Sequence, residues 1–65
     1  MKQYIERMKA EHKELKARIK KNLQIIEHPP YDSDKKGLGM LAKQVMAMQE
    51  YADILTERIE YEVSK

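Results

Sequence analysis

A heptad pattern runs through residues 38–63, LGMLAKQVMAMQEYADILTERIEYEV. Its apolar positions recur at steps of three and four, a spacing that places side chains on one face of an α-helix. Gly37 and Gly39 lower the helix propensity at the beginning of this stretch, so the predicted helix is expected to start firmly near Leu38. The positions, called the second-helix seam, are Leu38, Leu41, Val45, Met48, Ala52, Leu55 and Ile59.

The first part of the chain carries a matching seam, and the predicted helix there covers residues 3–27. Two of its seven positions are polar, His12 and Asn22. We predict that His12 is a hydrogen-bonded seam residue, with a pH-sensitive contact as the alternative. Asn22 is predicted to restrict register or oligomeric state. The first-helix seam consists of Ile5, Met8, His12, Leu15, Ile19, Asn22 and Ile26.

Residues 28–37 are predicted to form the turn between the two helices. Pro29-Pro30 disfavours helical backbone at and just before the prolines, so the first helix is expected to end near residue 27. Asp32 or Ser33 is expected to cap the second helix. Tyr31 is expected to pack over the turn.

These patterns predict an all-α fold, an antiparallel two-helix hairpin that forms one domain over residues 1–65. A second apolar stripe lies beside the second-helix seam, and one partner helix is too narrow to cover both. We therefore predict that copies of the chain assemble into a homo-oligomeric helical bundle. The members of the second stripe are Met40, Ala47, Tyr51, Ile54 and Tyr61.

Composition argues against catalysis and metal binding. The chain has no cysteine, and its two histidines, His12 and His28, lack the Glu-x-x-His spacing of a helical metal site. Serine occurs only at positions 33 and 64, so the sequence predicts no enzyme activity, no metal site and no cofactor. No apolar run reaches the roughly 20 residues of a membrane span, and residues 1–7 lack a signal-peptide stretch. A cytoplasmic protein is the expectation.

Charge is distributed unevenly along the chain. Residues 1–28 hold eight Lys/Arg against four Glu, for +4, whereas residues 29–65 hold five against seven acidic residues, for −2. In a hairpin the basic residues gather near the turn, where a helix N-terminus also favours anions. The sequence thus predicts a phosphate-attracting end, with a solvated lysine-rich helix end as the alternative. The candidate residues are Lys20, Lys21, Lys35, Lys36 and Lys43.

One row of the second helix carries chemistry suited to a nucleotide. Gln44, Tyr51 and Arg58 repeat at intervals of seven beside the seam. An amide, a phenol and a guanidinium on one line are able to stack on a base, hydrogen-bond to it or pair with phosphate. The same residues are equally suited to the polar flank of a helix–helix interface, and the sequence leaves both open.

The same helix shows a longer pattern. It consists of Leu41, Met48, Tyr51, Leu55 and Arg58-Ile59, preceded in the first helix by Tyr4, Arg7 and Glu14-Leu15. This pattern resembles a family of very short proteins encoded by tailed bacteriophages, including crAss-like phages. In size, helicity and clustered basic and aromatic residues the chain also resembles phage counter-defence proteins that sequester cyclic nucleotide immune signals.

The resemblance implies binding without catalysis, in the cytoplasm of a bacterial host. Tyr51 and Arg58 would contact the base or sugar ring of a cyclic nucleotide in pockets between protomers. The five candidate lysines near the turn would supply a positive electrostatic field that attracts its phosphates. One alternative is a helical module that inhibits or bridges a host or phage protein. Another is a small basic nucleic-acid accessory protein, although a net charge of +2 offers few contacts to duplex nucleic acid.

Overall fold

The computed structural model describes the backbone of residues 2–65 and the side chains of residues 3–65, so residue 1 of the predicted domain lies outside the described part. It contains helix α1, Lys2–Glu27, and helix α2, Lys35–Val63. The helices pack antiparallel into a rod of 48 × 15 × 13 Å. This confirms the predicted all-α hairpin, whereas its assembly into an oligomer stays a prediction.

The turn is built around a short hydrogen bond after the two prolines. The Ser33 amide donates to the Pro30 carbonyl at 3.0 Å, closing a β-turn with Tyr31 at its tip. Because the central residues of such a turn point away from the chain, the Tyr31 side chain is fully exposed. The expectation that Tyr31 packs over the turn was wrong.

Helix α2 begins three residues before the predicted position. Its N-cap is Asp34, not Asp32 or Ser33, and the Asp34 carboxylate accepts a hydrogen bond from the Gly37 amide at 2.7 Å. That bond satisfies one of the amides that a helix start leaves unpaired, which offsets the helix penalty of the glycine. The glycine also permits the bond, since a Cβ there would lie 2.9 Å from Asp34 Oδ1.

Replacing Gly39 with alanine is expected to stabilise the hairpin by roughly 0.5–1 kcal/mol. Apart from the neighbouring helix backbone, no atom lies within 4 Å of the added methyl group, and alanine loses less backbone entropy on folding. The same change at Gly37 is expected to gain less or to destabilise, because the methyl displaces the Asp34 carboxylate. Thermal unfolding at one fixed protein concentration measures both changes, and equal gains would contradict this account of the cap.

The two predicted seams meet in the core. Every seam residue is buried or half-buried. At the centre lie Ala52 and Leu55, which are 1% and 0% exposed. The helices are therefore held mainly by apolar burial along this line. The buried cluster consists of Leu15, Ile19, Val45, Ala52 and Leu55, with Ile26 and Met48 packed against it.

The two polar seam residues each have a partner across the helices. Thr56 Oγ1 lies 2.9 Å from His12 Nε2 and 3.1 Å from the Ala52 carbonyl. Since the hydroxyl has one proton, which goes to the carbonyl, His12 Nε2 donates to Thr56. This confirms His12 as a hydrogen-bonded seam residue. Asn22 Nδ2 meets only a sulfur acceptor, Met48 Sδ, at 3.6 Å.

The second apolar stripe faces away from α1. Of its members, Met40 is 59% exposed, Ile54 46% and Tyr61 64%. This confirms that the packing of two helices leaves the stripe uncovered. Among residues 2–65, neither helix has a stretch long and apolar enough to cross a membrane.

Candidate ligand-binding site

The predicted row of Gln44, Tyr51 and Arg58 borders the groove between the helices. Helix α1 presents Tyr4 and Glu11 to it, also seven residues apart. The Tyr51 hydroxyl donates to Glu11, and Arg58 donates to the Tyr4 hydroxyl. In an antiparallel pair, residues on the same flank of each seam face one another, which accounts for both contacts. We call these five residues the aromatic–ionic row.

Two further contacts fix the orientation of the row. The Arg58 guanidinium lies 5.9 Å from the centroid of the Tyr4 ring, within range of a cation–π interaction. Gln44 Nε2 reaches Met48 Sδ at 3.9 Å, a contact weak enough for a better acceptor to displace. Gln44 is therefore the most adaptable member of the row.

The acid–base state of Tyr51 depends on Glu11. Because the Glu11 carboxylate accepts the phenol proton, it raises the pKa of Tyr51 above the ordinary value of 10.0. Desolvation and repulsion between phenolate and carboxylate act in the same direction, while the positive charge of Arg58 lowers the pKa. The hydrogen bond is thus fully present below pH 10 and is lost as pH rises through the raised pKa.

Replacing Glu11 with glutamine is expected to lower the pKa of Tyr51 towards 10.0, because a neutral amide neither favours the phenol proton nor repels the phenolate. An NMR titration of the tyrosine ring signals measures this. The Tyr61 signal serves as the internal control, since Tyr61 lies outside the Glu11 contact. An unchanged Tyr51 pKa would contradict the cross-helix bond.

The row is accessible but shallow within one chain. Tyr51 is 41% exposed. Beside Arg58 lies a surface hollow of about 340 Å³, lined by Ile54, Glu57, Tyr61 and Glu62 as well. At 1.5 Å rise per residue, Gln44 and Arg58 stand about 21 Å apart along α2. A single small ligand on one chain therefore contacts only part of the row.

The predicted lysines lie apart from Arg58. Lys35 begins α2, and its Cα lies about 35 Å from that of Arg58 along the helix axis. The hollow at the turn, of about 280 Å³, is lined by Asp32 and Asp34 and by none of the five lysines. The sequence predicted that free amides at the start of α2 would attract an anion, but the Gly37 amide already donates to the Asp34 carboxylate. All five lysines are exposed, and among side chains 3–65 the ion pair within 4 Å is Lys65 with Glu62.

Tyr4 and Glu11 were missed as candidate site residues. Their signal was present, since both stand one position before a seam residue, as Gln44, Tyr51 and Arg58 also do. Pairing the flanks of an antiparallel hairpin identifies them. Among residues 2–65, no group of three or more His, Cys, Asp and Glu side chains is placed to hold a metal ion.

Fold and row together define a small helical-hairpin protein with an aromatic and ionic flank available for binding. The model of the Sequestin family matches residues 2–61, and the chain belongs to this family. The family name indicates a sequestering role and hence a bound partner. No curated protein and no solved structure matches the chain significantly.

Proposed function

We propose that this protein binds a cyclic nucleotide immune signal and holds it without chemical change, in pockets between copies of the chain, on behalf of a phage in its bacterial host. The family name supports sequestration. The observation that supports a nucleotide ligand is the aromatic–ionic row. In this row Tyr51 and Arg58 remain partly accessible while Glu11 and Tyr4 orient them.

Each residue type has a distinct task in this proposal. The Tyr51 ring offers a stacking face for a base, and Arg58 offers a planar donor set for a phosphate or a base edge. Gln44 exchanges its sulfur contact for a hydrogen bond to the base. The exposed lysines act at longer range, because their summed field raises the local concentration of a polyanion. They are Lys20, Lys21, Lys35, Lys36 and Lys43.

Thermal unfolding with a panel of cyclic mono-, di- and trinucleotides tests the proposal. A ligand at 100 times its dissociation constant adds about 2.7 kcal/mol of stability. For a domain of this size that raises the melting temperature by roughly 10–20 °C. The ligand should be recovered intact after the protein is denatured. An unchanged melting temperature with every nucleotide, or recovery of a cleaved ligand, would refute sequestration.

Substitutions in the row are expected to abolish binding without unfolding the hairpin. Arg58→Ala and Tyr51→Ala each remove a ligand contact, whereas Tyr51→Phe keeps the stacking ring and loses only the bond to Glu11. We expect calorimetric titration to detect no binding for the alanine variants and weakened binding for the phenylalanine variant. Dissociation of the oligomer by either alanine change, when the parent chain binds no nucleotide, would instead identify the row as an interface only.

A protein-binding module is the second candidate, favoured by the exposed apolar stripe of α2. An amphipathic helix with an uncovered face is suited to the apolar groove of a partner. In that case nucleotides leave the melting temperature unchanged, and a host or phage protein co-purifies in a defined stoichiometry.

A further inference from the structure

The hairpin exposes more surface than a monomer of its mass normally does. A compact 7.7 kDa protein exposes about 4,300 Å², whereas this chain exposes 5654 Å². Its radius of gyration is 14.9 Å, against about 11 Å for a compact chain of this length. The excess area, about 1,300 Å², is larger than the roughly 800 Å² that one partner contributes to a standard interface.

Part of this excess forms one straight line on α2. Met40, Ala47, Ile54 and Tyr61 repeat at intervals of seven within an uninterrupted helix, and we call them the outer row. Its three large members, Met40, Ile54 and Tyr61, are more than two-fifths exposed, so the row supplies part of the roughly 800 Å² that one partner contributes to a standard interface. The outer row lies next to Gln44, Tyr51 and Arg58 on the helical wheel.

We propose that a second copy of this chain covers the outer row, with the two α2 helices antiparallel about a twofold axis beside Tyr51. This register pairs all four positions of the row. Met40 faces the partner's Tyr61, and the small Ala47 faces the partner's Ile54, so large and small side chains alternate across the contact. The remaining area comes from the flanking rows.

Charge is complementary in the antiparallel arrangement. The row on the far side of the outer row consists of Lys43, Glu50 and Glu57. In the antiparallel register Lys43 faces the partner's Glu57 twice, and Glu50 faces its own counterpart once. In a parallel register opposite flanks face one another, so this row faces the partner's Gln44, Tyr51 and Arg58 instead. Two attractions against one repulsion therefore support the antiparallel register.

The dimer also completes the ligand site, a step that rests on the proposed function. Within one chain Gln44 and Arg58 are about 21 Å apart along the helix. Across the twofold axis Gln44 of one protomer lies opposite the partner's Arg58, and the two Tyr51 rings meet near the axis. The dimer therefore holds two equivalent amide–guanidinium sites, one on each side of the two phenols, and each fits one cyclic nucleotide.

Charge reversal tests the interface without any ligand. We expect the unmodified chain to sediment as a dimer or a multiple of dimers. Lys43→Glu and Glu57→Lys should each weaken self-association about tenfold, because each creates two like-charge contacts. An equimolar mixture of the two variants should recover dimers, since the mixed pair restores opposite charges at both positions. Asp53→Lys, on another face of α2, is the matched control and should change little.

Complementation tests the shared site separately. Gln44→Ala and Arg58→Ala chains should each lose cyclic nucleotide binding, and their mixture should regain one site per mixed dimer. A monomeric chain, or single variants that mixing does not rescue, would overturn the interface. A dimer that passes the charge test but binds no cyclic nucleotide would retain the interface and refute the proposed function.

Discussion

Replacing Leu55 with alanine is expected to destabilise the hairpin by about 3 kcal/mol, from the usual range for a buried leucine. Leu55 is completely buried, at 0% exposure, in the cluster that joins the two helices. A chain of this length has a total stability of roughly 3–10 kcal/mol. The variant should therefore melt roughly 12–24 °C lower, and a large share of it is expected to be unfolded at 37 °C.

Met46→Ala is the matched control for this change. Met46 lies on the same helix and is 72% exposed, and it belongs to neither the seam nor the outer row. Its truncation should change stability by less than about 0.5 kcal/mol. Circular dichroism at one fixed concentration keeps any self-association constant between variants. Equal losses at both positions would contradict the described core.

Replacing Ala52 with leucine is expected to destabilise the hairpin by about 1–3 kcal/mol although it adds apolar surface. Ala52 is 1% exposed, at the centre of the contact between α1 and α2. A larger side chain there forces the helices apart or drives its neighbours out of their preferred rotamers. Separation of the helices also strains the cross-helix bonds of Tyr51 and Arg58.

Ala17→Leu on α1 provides the control, because Ala17 is exposed. That substitution should leave the free energy of unfolding, measured by urea titration, within about 0.5 kcal/mol of the parent. Hydrogen exchange of the amides around Ala52 should accelerate in Ala52→Leu alone. A stabilised Ala52→Leu variant would show that the interior holds a cavity which the described packing does not contain.

Periodicity alone specified both helices and the line along which they pack. Every residue of the two predicted seams is buried or half-buried, because a heptad repeat places its apolar positions on one face of the helix. The second stripe was likewise predicted, because its width exceeds what one neighbouring helix covers.

Other features depended on contacts that no short window of sequence contains. Helix α2 starts at Lys35 because the Asp34 carboxylate reaches the Gly37 amide, a side-chain geometry that outweighs glycine propensity. Tyr51 contacts Glu11, which is 40 residues away in the sequence, and Arg58 contacts Tyr4, which is 54 residues away. Local pattern sets which face of a helix is apolar, whereas the register between two helices sets which side chains meet across it.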